Sequence, residues 1–168
     1  LTKSPVRQRR AQTGAGDDVV IEGVGTMITT MANCCHPVPG DPVVGYVTVG
    51  RGVTIHREDC RQVVHWRAEN SPRLLQVNWG DKPSTSYSVQ ILVRAFDRRD
   101  LIRDISTVLS TSDTQVTDIS SRLDENSDEV SIHLKLRVRD FEQLSELLSR
   151  LGNVSNVIEA RRLRQGSG

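Results

Sequence analysis

From Val130 to Val138 the chain reads Val-Ser-Ile-His-Leu-Lys-Leu-Arg-Val, with an apolar residue at every second position. Successive side chains of a strand point to opposite faces, so this stretch must lay one side of a sheet on a core and leave the other wet. Such a strand needs partner strands and a covering layer, and the flanking sequence supplies both. Tyr87 to Ala95 alternates with Val89, Ile91 and Val93 on one face, and Val116 to Leu123 reads as a further strand before a turn from Asp124 to Asp128. Leu101, Ile102, Ile105, Val108 and Leu109 have the spacing of an apolar helical stripe. They follow Asp97-Arg98-Arg99-Asp100, a capping sequence with Asp97 at the cap. Asp140 with Gln143 caps a second helix whose Phe141, Leu144, Leu147, Leu148 and Leu151 face the core. Gly152 then stands where a helix end favours a residue free to take positive φ. Val154 to Leu163 closes the series. The order over residues 87–164 is β-α-β-β-α-β, the ferredoxin-like split unit, with two helices on one face of an antiparallel sheet.

The first half has a different texture. Val43 to Ile55 holds two short β-branched runs around Gly50-Arg51-Gly52, a hairpin signal. After His56 the sequence is helical in composition, with Cys60, Val63, Val64 and Arg67 along one side, and Leu74 to Trp79 reads as a strand. The turn-rich stretch from Gly80 to Ser86 marks a boundary. The chain therefore divides into a linker or tail at 1–18, a small α+β domain at 19–80, a linker at 81–86, the ferredoxin-like domain at 87–164 and a tail at 165–168. Each half carries its own apolar pattern, so each is expected to have its own core. The basic opening segment starts abruptly, as a piece of something longer would.

Net charge of +1 supplies no global field toward nucleic acid or membrane, and an aromatic content of 4% disfavours a surface that stacks bases. No apolar run approaches the roughly 20 residues that span a bilayer, and no signal-peptide core is present, so the expected location is the cytoplasm. There is no phosphate-cradling glycine loop, no His-Glu-x-x-His helix and no dinucleotide fingerprint, which points to a binding module rather than an enzyme.

One constellation stands out: Cys34-Cys35, then His56, then Cys60. Three thiolates and an imidazole make a structural zinc set. A histidine at a strand end and a cysteine one turn into the next helix can converge on a point. Adjacent cysteines on a strand face opposite ways, so both ligate only if the chain turns there, and Pro37, Pro39 and Gly40 supply turn chemistry nearby. His36 is a rival ligand. Spacing alone is equally compatible with cysteines that pack or undergo redox chemistry. A Cys35–His56 nucleophile pair would further require an orienting partner and an oxyanion donor. On the strand from Val130 to Val138 the outer face carries Ser131, His133, Lys135, Arg137 and Arg139, either a basic patch or an ordinary wet face. Trp66 and Trp79 are expected to close small cores.

The stretch ANCCHPVPGDPVVGYVTVGRGVTIHREDC, Ala32 to Cys60, resembles the zinc-finger or conserved-cysteine domain of long RelA/SpoT homologues. Residues 87–164, with FDRRDLIRDIS and EARRL, resemble the ACT (RRM-like) domain that ends those proteins. The Gly-Arg-Gly hairpin and the Arg-Arg-Leu ending are closer to the RelA branch than to the SpoT branch. The resemblance implies structural zinc on Cys34, Cys35, His56 and Cys60. It also implies a parent that makes guanosine tetra- and pentaphosphate from ATP and GTP or GDP on stalled ribosomes carrying uncharged tRNA. This chain would then be its non-catalytic regulatory end. Its partners would be large-subunit ribosomal RNA, tRNA, the upstream domains and a second copy of the chain. RNA contacts are expected from Arg51 at the hairpin tip, Arg57 and Arg61 beside the metal set, and Arg98 and Arg99 in the next domain's first helix. A rival reading is an ACT-type amino-acid sensor or dimerisation module, and another is an intermolecular thiol switch at Cys34 or Cys35. Against sensing, Asp100 stands where amino-acid-binding ACT domains carry glycine, and its carboxylate would repel a ligand carboxylate.

Overall fold

The computed structural model describes residues 18–21, 27–81 and 86–163. The linker at 1–18 except Asp18, most of the linker at 81–86, and the tail at 165–168 lie outside the described residues. Among the described residues no helix is long and apolar enough to cross a membrane.

The second half is built on its alternating strands. β6 (Tyr87–Phe96) and β8 (Glu129–Val138) pair antiparallel along their whole length, and β7 (Gln115–Leu123) and β9 (Val157–Arg162) flank them in the order β7-β8-β6-β9. The inward positions of β8 (Val130, Ile132, Leu134, Leu136, Val138) meet Leu101, Ile105 and Leu109 of α2 (Leu101–Thr111). They also meet Leu144, Leu147 and Leu151 of α3 (Phe141–Gly152). Ile132, Leu134, Leu136, Leu144 and Leu151 are at most 1% exposed, and each such side chain contributes about 1.5–3 kcal/mol of burial. The helices leave β7 uncovered. Every one of its residues is exposed, including Val116, Ile119 and Leu123, which stand opposite the buried Leu136, Leu134 and Val130. Ile102 of α2 and Phe141 of α3, both assigned inward by spacing, are exposed as well.

Two helix ends differ from expectation. Asp97 does not cap α2: the helix begins at Leu101, directly after Asp100, and the Asp97 N–H donates to the Asp128 carbonyl at the sheet end. Asp100 precedes it in the left-handed region at φ 66 and caps nothing with its side chain. At α3 the cap is as read, with Asp140 accepting the Gln143 N–H at 2.8 Å. Gly152, however, is the last helical residue rather than a left-handed terminator, and Asn153 closes the helix at φ −87.

The first half forms a five-stranded sheet from β1 (Val19–Ile21), β2 (Thr29–Met31), β3 (Val43–Thr48), β4 (Gly52–Arg57) and β5 (Leu74–Trp79), in the order β1-β5-β3-β4-β2. The hairpin loop is Val49-Gly50-Arg51, closed by the Thr48–Gly52 pair. One sheet face packs Val43, Val53, Ile55 and Val77; the other packs Val44 against Val63 of α1 (Arg61–Ala68) and the cysteines. Val64 of that helix is exposed.

Each half keeps buried clusters of its own, and the two are joined at their boundary. Val38, at 0% exposure, belongs to the cluster of the second half with Tyr87, Val89 and Leu144, and Met31 and Trp79 pack against the clusters of both halves. The Trp79 indole meets the Tyr87 ring edge-on at 5.8 Å.

The conformation of Gly152 carries a measurable consequence. A Cβ there would meet nothing within 4 Å and the backbone is helical, so Gly152→Ala should stabilise the chain by about 0.5–1 kcal/mol in urea unfolding. A loss of stability would mean that the position needs the left-handed region.

Candidate metal centre

The period of a strand places the first ligand. On β4, Val53 and Ile55 fill one face, so Thr54 and His56 occupy the other, opposite Tyr46 and Val44 of β3. The next ligand follows a tight turn in which the Cys60 N–H donates to the Arg57 carbonyl. Cys60 is the residue before α1, in extended backbone, and its thiol turns to the site instead of capping the helix. The adjacent cysteines arrive from β2, which runs parallel to β4 and hands Ala32 to the Ile55 carbonyl. The chain then closes an α-turn, His36 N–H to Ala32 O at 3.0 Å, with His36 in the left-handed region at φ 46. That turn answers the objection from strand geometry and brings both thiols to one side.

The four ligand atoms lie within 4.8 Å of one another. Cys34 Sγ is 3.9 Å from Cys35 Sγ, 3.6 Å from Cys60 Sγ and 3.3 Å from His56 Nδ1, and that nitrogen is 3.9 Å from Cys35 Sγ and 3.8 Å from Cys60 Sγ. A tetrahedral ion with metal–sulfur bonds of about 2.3 Å and a metal–nitrogen bond of about 2.0 Å requires sulfur–sulfur edges near 3.8 Å and sulfur–nitrogen edges near 3.6 Å. The side chains are therefore spaced to hold a metal ion. His36 is not among them. Its carbonyl accepts from Arg162 at 2.8 Å and its ring lies against Gln90.

Without an ion, burial works against nucleophilic chemistry at these thiols. Burial, chiefly, pushes the Cys34 thiol up to about 11 and that of Cys35 higher still. Buried, protonated thiols are poor nucleophiles, and all three cysteines are free. Burial also lowers the His56 pKa, which leaves a neutral imidazole with a lone pair to donate. Its other nitrogen, Nε2, sits 3.1 Å from Thr54 Oγ1, and that hydroxyl donates to the Tyr46 carbonyl. Thr54 thus accepts the Nε2–H and leaves Nδ1 bare toward the thiols, the supporting contact that metal-bound histidines require. The Arg57 N–H donates to Cys35 Sγ at 3.3 Å, and Trp66, stacked on Tyr46 at 3.7 Å, meets the His56 ring edge-on. The sequence reading missed Thr54, although its place two residues before His56 on one strand face was the available signal.

The arginines fall into two groups. Arg57 is engaged by Asp59 at 2.7 Å, and Arg98 by Asp104 at 2.8 Å and by the carbonyls of Ser155 and Arg99. Arg51, Arg61 and Arg99 are exposed, Arg51 at the hairpin tip beside Val49, which is 80% exposed. Sequence spacing grouped all five, whereas the structure sets two of them into internal ion pairs.

Residues 19–80 match the RelA/SpoT RIS domain, and residues 83–162 match an ACT domain. The chain is 37% identical over 161 residues to a GTP pyrophosphokinase of Haemophilus influenzae (96% of this chain, 22% of the relative). It is 39% identical over 145 residues to that of Escherichia coli (86% and 20%), and 36% identical over 158 residues to that of Streptomyces coelicolor (94% and 18%). It thus spans about a fifth of the length of these curated relatives. Among solved structures it is similar to the ACT domain of a GTP pyrophosphokinase from Chlorobium tepidum, at 23% identity and a TM-score of 0.43, over 47% of this chain and all of that one.

Thr54 supplies the test of this geometry. Thr54→Val should keep the fold but weaken divalent metal binding by about 10- to 100-fold in a competition titration with a chromophoric chelator. An unchanged affinity would remove Thr54 from the site.

Proposed function

The chain belongs to the RelA/SpoT family, as a RIS domain followed by an ACT domain, and on that premise we propose that it is the ribosome-binding, regulatory end of a GTP pyrophosphokinase. In this reading the whole protein makes guanosine tetra- and pentaphosphate from ATP and GTP or GDP on ribosomes carrying uncharged tRNA. This chain anchors it to large-subunit RNA and passes regulation to the upstream catalytic domains. The ion in the four-ligand site is zinc, in a structural role, because a closed set of three thiolates and one imidazole leaves no position open for substrate.

The observation that carries the reading is the hairpin β3–β4. Its base is held by the metal cluster through His56, and its tip projects Val49 and Arg51 into solvent. A clamped base and an exposed cationic tip suit insertion against a phosphate backbone. Arg99 extends the same chemistry, while Arg57 and Arg98 are held in ion pairs with Asp59 and Asp104. Amino-acid sensing is not favoured. Asp100 takes the left-handed conformation that glycine takes freely, and its carboxylate remains beside Arg103 at the place where a ligand carboxylate would have to approach.

Replacing Arg51 and Arg99 together by Ala should weaken binding to purified large ribosomal subunits. It should also lower the log–log salt slope by about 0.7–0.9 units for each phosphate that the arginines had neutralised. Equal affinity and slope in a variant that keeps its zinc would reject the RNA assignment.

The uncovered strand β7 favours a second association. It is a nine-residue sheet edge with Val116, Ile119 and Leu123 exposed on the helix-side face. An antiparallel edge is self-complementary about a two-fold axis, so a second copy of the chain is the partner it fits. Light scattering should then show a dimer for the parent chain and a monomer for Ile119→Lys; a parent that stays monomeric at high concentration would exclude this interface.

A further inference from the structure

The six residues after the paired cysteines, His36-Pro-Val-Pro-Gly-Asp41, belong by sequence to the first domain, yet they make a set of close contacts with the second. Val38 is fully buried and belongs to the core cluster of the second domain. The Pro39 carbonyl accepts the N–H of Phe141, the first residue of α3, at 2.8 Å. Gly40 passes so close to that helix, at φ 102, that a Cβ would stand 2.9 Å from Phe141 Cβ. Arg162 at the end of β9 grips Asp41 with both nitrogens, at 2.9 and 3.1 Å, and also reaches the His36 carbonyl at 2.8 Å. The next residue, Leu163, lines the small cavity of about 90 Å³ beside Cys34, Cys35 and Cys60. The loop is thus fixed at one end by Cys35 and at the other by Asp41.

We infer that this loop is a latch through which filling of the metal site and seating of the ACT domain are coupled. Both thiols face the metal only while the turn at Ala32–His36 is closed, and that turn sets the direction in which Pro37 and Val38 leave. Closing the turn on an ion therefore seats Val38, presents the Pro39 carbonyl to α3 and aligns Asp41 with Arg162. The inference rests on the metal reading above. Coupling between two sites is reciprocal: what the ion does for the Asp41–Arg162 contact, that contact must do for the ion's affinity. Arg162 ligates nothing in the metal centre, yet it should govern how tightly the centre binds.

The test uses the whole chain. Zinc affinity is measured by competition with a chromophoric chelator for the parent, Arg162→Met and Arg162→Lys. The Met variant should bind about tenfold more weakly, with the Lys variant between it and the parent. Val38→Ala, which leaves the ion pair in place but loosens the seat, should also weaken binding if the Met variant proves too unstable to titrate. A Trp66→Phe background leaves Trp79 as the chain's remaining indole. Trp79 donates to the Asp41 carbonyl at 2.9 Å, so its emission should change when zinc is added to the stripped protein. If the parent binds zinc while the Arg162 and Val38 variants bind it equally well and Trp79 emission does not respond, the latch is wrong and the metal reading stands. If the parent binds no metal at all, both fall.

Discussion

The pair between Asp41 and Arg162 joins positions 121 residues apart, and the relation of the two domains depends on it. Its carboxylate is 3% exposed and its guanidinium 11%. Removing such charges from water is expensive, and a buried pair often stabilises no more than an apolar replacement would. What it provides is placement. The Asp41 carboxylate accepts both arms of the guanidinium and the Val38 N–H, so its acceptors are met only when the loop, the end of β9 and the start of β3 are all in position. The Arg162 fork is completed by the His36 carbonyl. A misregistered loop would leave a buried carboxylate without its donors, which is a far larger penalty than the pair's net worth.

The ferredoxin-like half was legible because its signals are local. Alternation on β6 and β8 and the leucine stripe of α3 each decide a face without reference to the rest of the chain. The errors came where tertiary context overrides a local pattern. Asp97 sits in a capping sequence, but its backbone still belongs to the sheet end, paired with Asp128, and the helix starts three residues later than a cap at Asp97 would place it. Gly152 has the composition of a terminator, yet the helix simply runs on through it. The sequence of β7 gave no hint that its apolar side would be uncovered, since exposure depends on where α2 and α3 lie, not on the strand itself.

The metal set was legible as residue types but not as geometry. Nothing periodic marks the turn at Ala32–His36, and the adjacent cysteines argue against themselves until that turn is seen. The docking of residues 36–41 was invisible for the same reason, since proline-rich loops carry no face. That is why the halves looked independent. The cluster around the site is also small, consisting of Ala32, Val44 and Val63 with Cys35 and Cys60, flanked by Trp66 and Leu74. So little apolar surface contributes only a few kcal/mol at about 25 cal/mol per Å². An ion bound there contributes folding free energy directly, because the unfolded chain cannot hold the four ligands together.

The latch also sorts the surfaces of the ACT domain. The loop occupies the end formed by the start of β6, the start of α3 and the end of β9, so that end is closed to other partners. On the open sheet face Arg94 is held between Glu129 at 2.9 Å and Glu159 at 3.3 Å and Asp118 stands across from Lys135, while Arg122, Arg137 and Arg161 leave that face net positive. A phosphate approaching it meets carboxylates as well as cations. Positive charge is also carried at the hairpin tip, far along the chain from this sheet but tied to it through the cysteine–histidine cluster and residues 36–41. By the latch inferred above, contact at that tip would act through His56 and the paired cysteines on the core to which Val38 belongs.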